Sequence, residues 1–121
     1  MTNKYDVLVS EVGPRDGLQS INTVFSTKGK MQWIKREAEA GVAKIQVGSF
    51  VPPKLLPQLA DTADVVNQSI QIHGLTVAAL VPNLKGAENG MAAGTHQIGV
   101  VMSVSEAHNQ ANVRCSTQQS I

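Results

Sequence analysis

Cysteine, aromatic residues and long apolar runs are all scarce in this chain, and each scarcity excludes a class of protein. One cysteine among 121 residues excludes a disulfide framework and favours a reducing, cytoplasmic location. Aromatic residues make up 3% of the chain, too few for stacking single-stranded bases, and a net charge of +1 disfavours a phosphate-backbone binder. The longest apolar run, residues 77–81, is too short to cross a bilayer. We therefore expect neither a nucleic-acid partner nor a membrane partner.

What the sequence does contain is a set of short apolar runs with the composition of buried strands. These runs are rich in valine and isoleucine and are bounded by glycine, proline or asparagine, which is typical of strands. They cover residues 7–12, 44–47, 76–81 and 98–102. The first residues of the chain carry no signal-peptide or transit-peptide pattern.

Helical periodicity separates these runs. Met31, Ile34 and Ala38 fall on one helical face, with Ser26 or Thr27 as a cap and Gly41 as a stop. The spacing predicts a second helix through Leu56, Leu59, Ala63 and Val66, and a third over residues 85–93. The resulting order, β-α-β-α-β-α-β, predicts an α/β fold with parallel strands and right-handed crossovers.

The number of strand–helix units predicts a partial (β/α)8 TIM barrel. A complete barrel takes roughly 250 residues, so a single domain over residues 1–121 corresponds to about the first four β-α units. We expect the helix after the fourth strand to begin at Ser116, one turn before the last residue. The outer strands would then be open to pairing, which predicts a homo-oligomer or edge-to-edge association.

In parallel α/β folds the working residues follow the strands, at their C-terminal ends. The first strand is followed by Glu-Val-Gly-Pro-Arg-Asp-Gly-Leu-Gln at residues 11–19. The carboxylate of Asp16 can bind Mg²⁺ or Mn²⁺, and the guanidinium of Arg15 can hold a carboxylate or an oxyanion. A turn with a local Arg–Asp ion pair is the alternative for these two residues alone.

The nine residues closely resemble the strand-one signature of 3-hydroxy-3-methylglutaryl-CoA lyases, which belong to a metal-dependent lyase and acyltransferase superfamily of TIM barrels. The resemblance continues in order along nearly the whole chain. It includes residues 49–54, 57–61, 81–86, 103–106 and 112–116. A match to several segments in the right order is specific, whereas a match to any one of them is not.

The resemblance implies a retro-Claisen cleavage of a 3-hydroxyacyl-CoA into acetyl-CoA and a keto acid, as in leucine degradation, with a divalent metal. It implies that Arg15 stabilises the enolate or carbonyl oxygen and that Asp16 is a metal ligand. It also implies a substrate pocket lined by Gln19, Ser49, Asn83 and Asn112. The two asparagines have a simpler alternative as turn caps.

One residue departs from the family pattern. Gln46 stands where better-known members carry a glutamate beside the active-site arginine, so we expect it to bond Arg15 without bringing a charge. Lost activity and an altered substrate, such as citramalyl-CoA, are both open. A catalytically inactive fragment or an interaction module is the alternative from a different class.

The remaining chemical residues carry less weight. We expect His73 and His96 at the opposite end of the barrel, His108 in a solvated loop and Cys115 as a structural thiol. Lys54 and Lys85 could reach CoA phosphates, and the basic residues of the first helix should form a solvated face: Lys28, Lys30, Lys35 and Arg36. The family's other metal ligands follow later in its sequence, so we expect the isolated chain to bind metal weakly and to lack turnover.

Overall fold

The computed structural model describes residues 6–121, so the first five residues of the expected single domain lie outside it. The described part of the chain contains one sheet of parallel strands, in the order β1-β2-β3-β4. The strands are β1 (Ser10–Glu11), β2 (Lys44–Ser49), β3 (Thr76–Val81) and β4 (Gln97–Val100). This sequential order is that of a barrel wall and confirms the predicted partial barrel.

Within residues 6–121, five α-helices accompany the strands. They are α1 (Thr27–Glu39), α2 (Thr62–Ser69), α3 (Leu84–Ala92), α4 (Glu106–Val113) and α5 (Thr117–Ser120). The predicted cap of α1 is confirmed, because the Ser26 side chain accepts a hydrogen bond from the backbone N–H of Gly29. Gly41 follows α1 with a φ of 100°, a left-handed conformation that favours glycine.

The hydrophobic core lies between the sheet and the first two helices. Ile45 and Val47 of β2 and Val77 of β3 are at most 1% exposed. They pack against Ile34 of α1 and Val66 of α2. Since successive strand residues face opposite sides, Gln46 lies on the other face of β2, turned away from this core.

Strand β1 is shorter than predicted. The expectation was a strand over residues 7–12, but only Ser10 and Glu11 pair, and Val7 to Val9 are between 61% and 74% exposed. The register explains the difference, because Ser10 lies opposite Lys44, the first residue of β2. Residues before Ser10 therefore extend beyond the start of the neighbouring strand.

The second predicted helix is divided in two. A 3₁₀ turn covers Pro57–Leu59, and α2 begins only at Thr62. Pro57 has no N–H to donate, so it can begin a helical turn but cannot sit inside a helix. The predicted helical face is therefore divided, with Leu59 in the 3₁₀ turn and Val66 in α2. Ala63, which was expected on that face, is exposed.

The helix after β4 begins earlier than Ser116, so that prediction is wrong. Ser105 caps α4 by accepting a hydrogen bond from the backbone N–H of His108, and Glu106 lies in the first turn. The chain leaves α4 at Arg114, whose φ is 59°. Ser116 then caps the short α5 through a capping box with Gln119. Within residues 6–121, no helix combines the length and the apolar content needed to span a bilayer.

Candidate active site

The turn that carries Arg15 is a tight π-helical turn directly after β1. This Arg15 turn (Gly13–Gly17) begins with a glycine and the buried Pro14, and the buried Leu18 follows it. The backbone N–H groups of Arg15 and Asp16 both donate to the carbonyl of Val12, at 3.1 and 2.7 Å. The backbone bonds and the two buried flanking side chains fix where the Arg15 side chain leaves the chain.

The Arg15 side chain makes hydrogen bonds across the sheet and along its own turn. Its Nε donates to Oε1 of Gln46 on β2 at 2.5 Å. Its Nη1 lies 3.1 Å from Oδ1 of Asp16 and 3.5 Å from Oε1 of Gln19. The Arg15 side chain is 17% exposed and that of Asp16 is 61% exposed. The guanidinium is therefore held mainly by neutral amides, with one solvated carboxylate beside it.

A cavity of about 180 Å³ opens in front of this arginine, at the C-terminal ends of the strands. It brings together side chains that are distant in sequence: Arg15 and Gln19 after β1, Ser49 at the end of β2 and Asn112 on α4. Leu80, Val81 and Val101 contribute apolar wall. Four of the predicted site residues thus share one cavity, and a fifth, Gln46, bonds to one of them.

Asn83 does not line this cavity. It lines a neighbouring groove of about 520 Å³ between α2 and α3, which shares Ser49 and Val51 with the first cavity. Its side chain accepts a hydrogen bond from the backbone N–H of Gly86 at 2.9 Å, which makes it the cap of α3. The cap accounts for this asparagine by itself, and a substrate role for it stays a prediction.

None of the histidines at positions 73, 96 and 108 lines the cavity in front of Arg15. His73 is exposed in the turn before β3, and His96, before β4, accepts a hydrogen bond on Nδ1 from the backbone N–H of Val77. Both precede strands, as expected for the opposite end of the barrel. His108 is exposed on α4 rather than in a loop. Among the described residues no three His, Cys, Asp or Glu side chains are grouped so as to hold a metal, and a metal role for Asp16 stays a prediction.

The sequence did not reveal a buried polar residue on α4, Asn109, three residues before Asn112. Its Oδ1 accepts from the backbone N–H of Ser103, and its Nδ2 donates to the Cys115 carbonyl and to Ser120 Oγ, at 2.8 to 3.0 Å. These bonds tie α4, which carries Asn112, to the segment after β4. The Cys115 thiol lies 3.2 Å from Ser120 Oγ in the same network, as a structural thiol would.

Lys30 was expected on a solvated face, and that expectation is wrong. It is 1% exposed, and its Nζ donates to the carbonyl of Gln58 at 2.6 Å and to the carboxylate of Asp61. The Asp61 carboxylate also accepts from Thr27 Oγ1 at 2.6 Å. Helical spacing places Lys30 four residues before the buried Ile34, on the same face of α1, but it does not reveal the partners of the ammonium, which precede α2.

Two carboxylates outside the cavity have shifted pKa values. Burial raises the pKa of Glu37 on α1, an effect opposed by the hydrogen bond from Trp33 and reinforced by the nearby charge of Glu11. Hydrogen bonds from the side chain and backbone of Thr117 lower the pKa of Glu106. Glu106 therefore helps to fix the start of α5.

Comparison with known proteins supplies the family. The family model described as HMGL-like matches residues 6–121. The chain is 43% identical over 115 residues to the hydroxymethylglutaryl-CoA lyase of Bacillus subtilis, covering 95% of this chain and 38% of that protein. It is 42% identical over 114 residues to the mitochondrial hydroxymethylglutaryl-CoA lyase of Macaca fascicularis, covering 94% of this chain and 35% of that protein.

Solved structures give the same answer at the level of the fold. An HMG-CoA lyase from Acinetobacter baumannii, solved with coenzyme A and 3-methylmalate, superposes with a TM-score of 0.89 at 39% identity. The match covers 99% of this chain and 40% of that one. The Bacillus subtilis HMG-CoA lyase superposes with a TM-score of 0.85, covering 92% and 37% of the two chains. The chain thus spans well under half the length of these relatives, and over that length it belongs to the HMGL-like family.

Proposed function

We propose that this chain forms the part of a carbon–carbon lyase that carries the strand-one arginine, acting on a 3-hydroxyacyl-CoA such as 3-hydroxy-3-methylglutaryl-CoA. The observation that carries the proposal is Arg15, held by Gln46 at the mouth of a cavity that Gln19, Ser49 and Asn112 also line. Relatives about 40% identical, named hydroxymethylglutaryl-CoA lyases, support it. The activity belongs to the whole barrel, of which the matched segment is one part.

The chemistry that we propose is a retro-Claisen cleavage. The 3-hydroxyl loses its proton, the C2–C3 bond breaks, and C3 becomes the carbonyl carbon of a keto acid. The electron pair of the broken bond moves onto the thioester as an enolate, which takes up a proton at C2 to give acetyl-CoA. Arg15 would stabilise the enolate oxygen through charge-assisted hydrogen bonds in a partly dry cavity. Ser49 and Asn112 would orient the substrate.

A divalent metal, Mg²⁺ or Mn²⁺, is implied by the family resemblance. Asp16 would supply one hard oxygen ligand, and such ions require several. Because no group of three or more His, Cys, Asp or Glu side chains that could hold a metal occurs among residues 6–121, the described residues do not form a complete metal centre. The resemblance assigns the other ligands and the acid and base to a later part of the family sequence. When bound, a metal would polarise substrate oxygens.

Gln46 favours a second candidate, a lyase for a related thioester. A glutamine orients Arg15 but brings no negative charge. The positive charge of the guanidinium is therefore balanced by a solvated carboxylate, Asp16, and by the ligand. The relative from Pseudomonas aeruginosa, 42% identical, is named as a lyase for both 3-hydroxy-3-isohexenylglutaryl-CoA and hydroxymethylglutaryl-CoA. Substrate choice therefore belongs in the same test. We also propose a cytoplasmic location, a single domain and self-association through the strand edges.

A chimera tests this proposal. Residues 6–121 would replace the matching segment of the Bacillus subtilis lyase, and acetyl-CoA release would be measured with Mg²⁺ or Mn²⁺ on several 3-hydroxyacyl-CoA thioesters. We expect metal-dependent cleavage that Arg15→Gln lowers by about a hundredfold or more. Gln46→Glu should raise the activity on hydroxymethylglutaryl-CoA, and Lys35→Gln, on the exposed side of α1, is the matched control.

The isolated chain provides the complementary arm. We expect it to release no acetyl-CoA, because a single carboxylate cannot fix a metal and a substrate together. A folded, monodisperse chimera that cleaves no thioester with either residue at position 46 would refute the lyase proposal. Turnover by the isolated chain would show that the described residues suffice.

A further inference from the structure

The Arg15 turn rests on the side chain of Trp33 from α1. Its first residue, Gly13, lies so close to the indole that an added Cβ would stand 2.8 Å from Trp33 Cζ2. The same atom would stand 2.8 Å from Oε1 of Glu11. Real Cβ atoms do not approach so closely, so the backbone of the turn is in direct contact with the ring.

Trp33 is itself fixed in orientation. Its Nε1 donates to Oε1 of Glu37, one turn further along α1, at 2.7 Å. The ring of Phe25 meets the indole edge-on, with centroids 6.5 Å apart and planes at 71°. A hydrogen bond at the pyrrole side and an aromatic contact leave the ring little freedom to rotate.

Glu11 holds the turn from its other side. Its Oε1 accepts the backbone N–H of Gly13 at 2.6 Å. Gly13 therefore lies between this carboxylate and the indole. It stands two residues before Arg15, in a turn whose next backbone N–H groups converge on the Val12 carbonyl.

We propose that Trp33, oriented by Glu37, is the positioning residue of the Arg15 turn. The ring stops Gly13 from moving toward α1 and so sets where the guanidinium of Arg15 meets Gln46. The consequence for catalysis rests on the proposed lyase function, in which a displacement of about 1 Å can lower a rate about a hundredfold. The contact between Trp33 and the turn does not depend on that function.

Amide hydrogen exchange of the 121-residue chain, followed by NMR, tests the proposal without turnover. Trp33→Leu removes the ring, Glu37→Leu removes its acceptor, and Glu37→Gln keeps a carbonyl acceptor. In the two leucine variants we expect the amides of Gly13, Arg15 and Asp16 to lose about tenfold or more of their protection. Core amides of β2 and β3 should change by less than about twofold, and Glu37→Gln should retain the protection of the turn.

The outcomes separate positioning from general packing. Equal loss of protection in the turn and in the core would make Trp33 an ordinary packing residue and overturn the proposal. Unchanged turn amides in Trp33→Leu would also overturn it. The two proposals fail separately. Retained protection of the turn in the leucine variants counts against positioning by Trp33, whereas a folded chimera that releases no acetyl-CoA counts against the lyase.

A second variant approaches the contact from the other side. Gly13→Ala places a methyl group against the ring, and Trp33 is the chain's single tryptophan, so its fluorescence reports the displacement directly. We expect a shifted emission maximum in Gly13→Ala, together with reduced protection of the amides of Arg15 and Asp16. An emission spectrum identical to that of the unmodified chain would contradict the contact. Lys35→Gln on the same helix is the control and should change neither measurement.

Discussion

Lys30 and Asp61 provide the sharpest test of how this chain is held together. The Lys30 side chain is 2% exposed and that of Asp61 is 22% exposed, so the ammonium is buried while the carboxylate keeps some contact with water. Asp61→Asn leaves the ammonium buried without its counter-charge. Removing one partner of a buried pair lowers the free energy of unfolding by about 3–5 kcal/mol, much of the total for a domain of this size.

The opposite substitution should be milder. Lys30→Met leaves a partly hydrated carboxylate that still accepts from Thr27, and it orphans the Gln58 carbonyl, for a loss of about 1–3 kcal/mol. The double variant Lys30→Met with Asp61→Asn should be more stable than Asp61→Asn alone, because no unpaired charge remains buried.

Urea unfolding followed by circular dichroism measures these differences. Lys35→Met, on the exposed side of α1, is the control and should change the free energy of unfolding by no more than about 0.5 kcal/mol. If the free energy of unfolding of Asp61→Asn lies within about 1 kcal/mol of that of the unmodified chain, the reasoning about the buried ammonium is refuted. A double variant no more stable than Asp61→Asn would refute the pairing.

Three further substitutions test particular contacts. Burial raises the pKa of Glu37 above its ordinary 4.5, so the melting temperature should fall as pH rises from 4.5 through the raised pKa. In Glu37→Gln this fall in melting temperature should be absent. Gly48→Ala would place a methyl group 2.5 Å from Oγ1 of Thr62, and urea unfolding should show a loss of about 1–3 kcal/mol. Asn83→Ala removes the cap of α3 and should cost about 1 kcal/mol in the same assay, while a KM unchanged in the chimera would exclude a substrate role.

The sequence predicted those elements whose signals are local. The α1 helix could be read from its apolar spacing, with Ser26 before it and Gly41 after it, because capping and periodicity act within a few residues. The wall of parallel strands followed from the alternation of strands and helices. The position of α4 could also have been found, since Ser105 followed by Glu106 is a helix-start signal.

Features set by distant partners could not be read in the same way. The start of β1 depends on where β2 begins, and the ammonium of Lys30 on α1 is paired with Asp61, which precedes α2. Within the candidate site, the grouping of Arg15 with Ser49 followed from the rule that strand ends meet at one edge of the sheet. Asn109 carried no such signal, because a polar residue in a short helix is normally exposed.

The geometry around Arg15 bears on the two consequences left open for Gln46. Gln46 accepts from Nε at 2.5 Å, so it supplies the hydrogen bond that would aim the guanidinium. What a glutamine cannot supply is negative charge, and the remaining carboxylate, Asp16, is 61% exposed and largely screened by water. Within residues 6–121, Nη2 has no hydrogen-bond partner, which leaves one edge of the guanidinium for an anionic ligand. A site that keeps its arginine aimed but less neutralised still presents the guanidinium to an anion, so the activity of the chimera with glutamine and with glutamate at position 46 decides between an altered substrate and lost function.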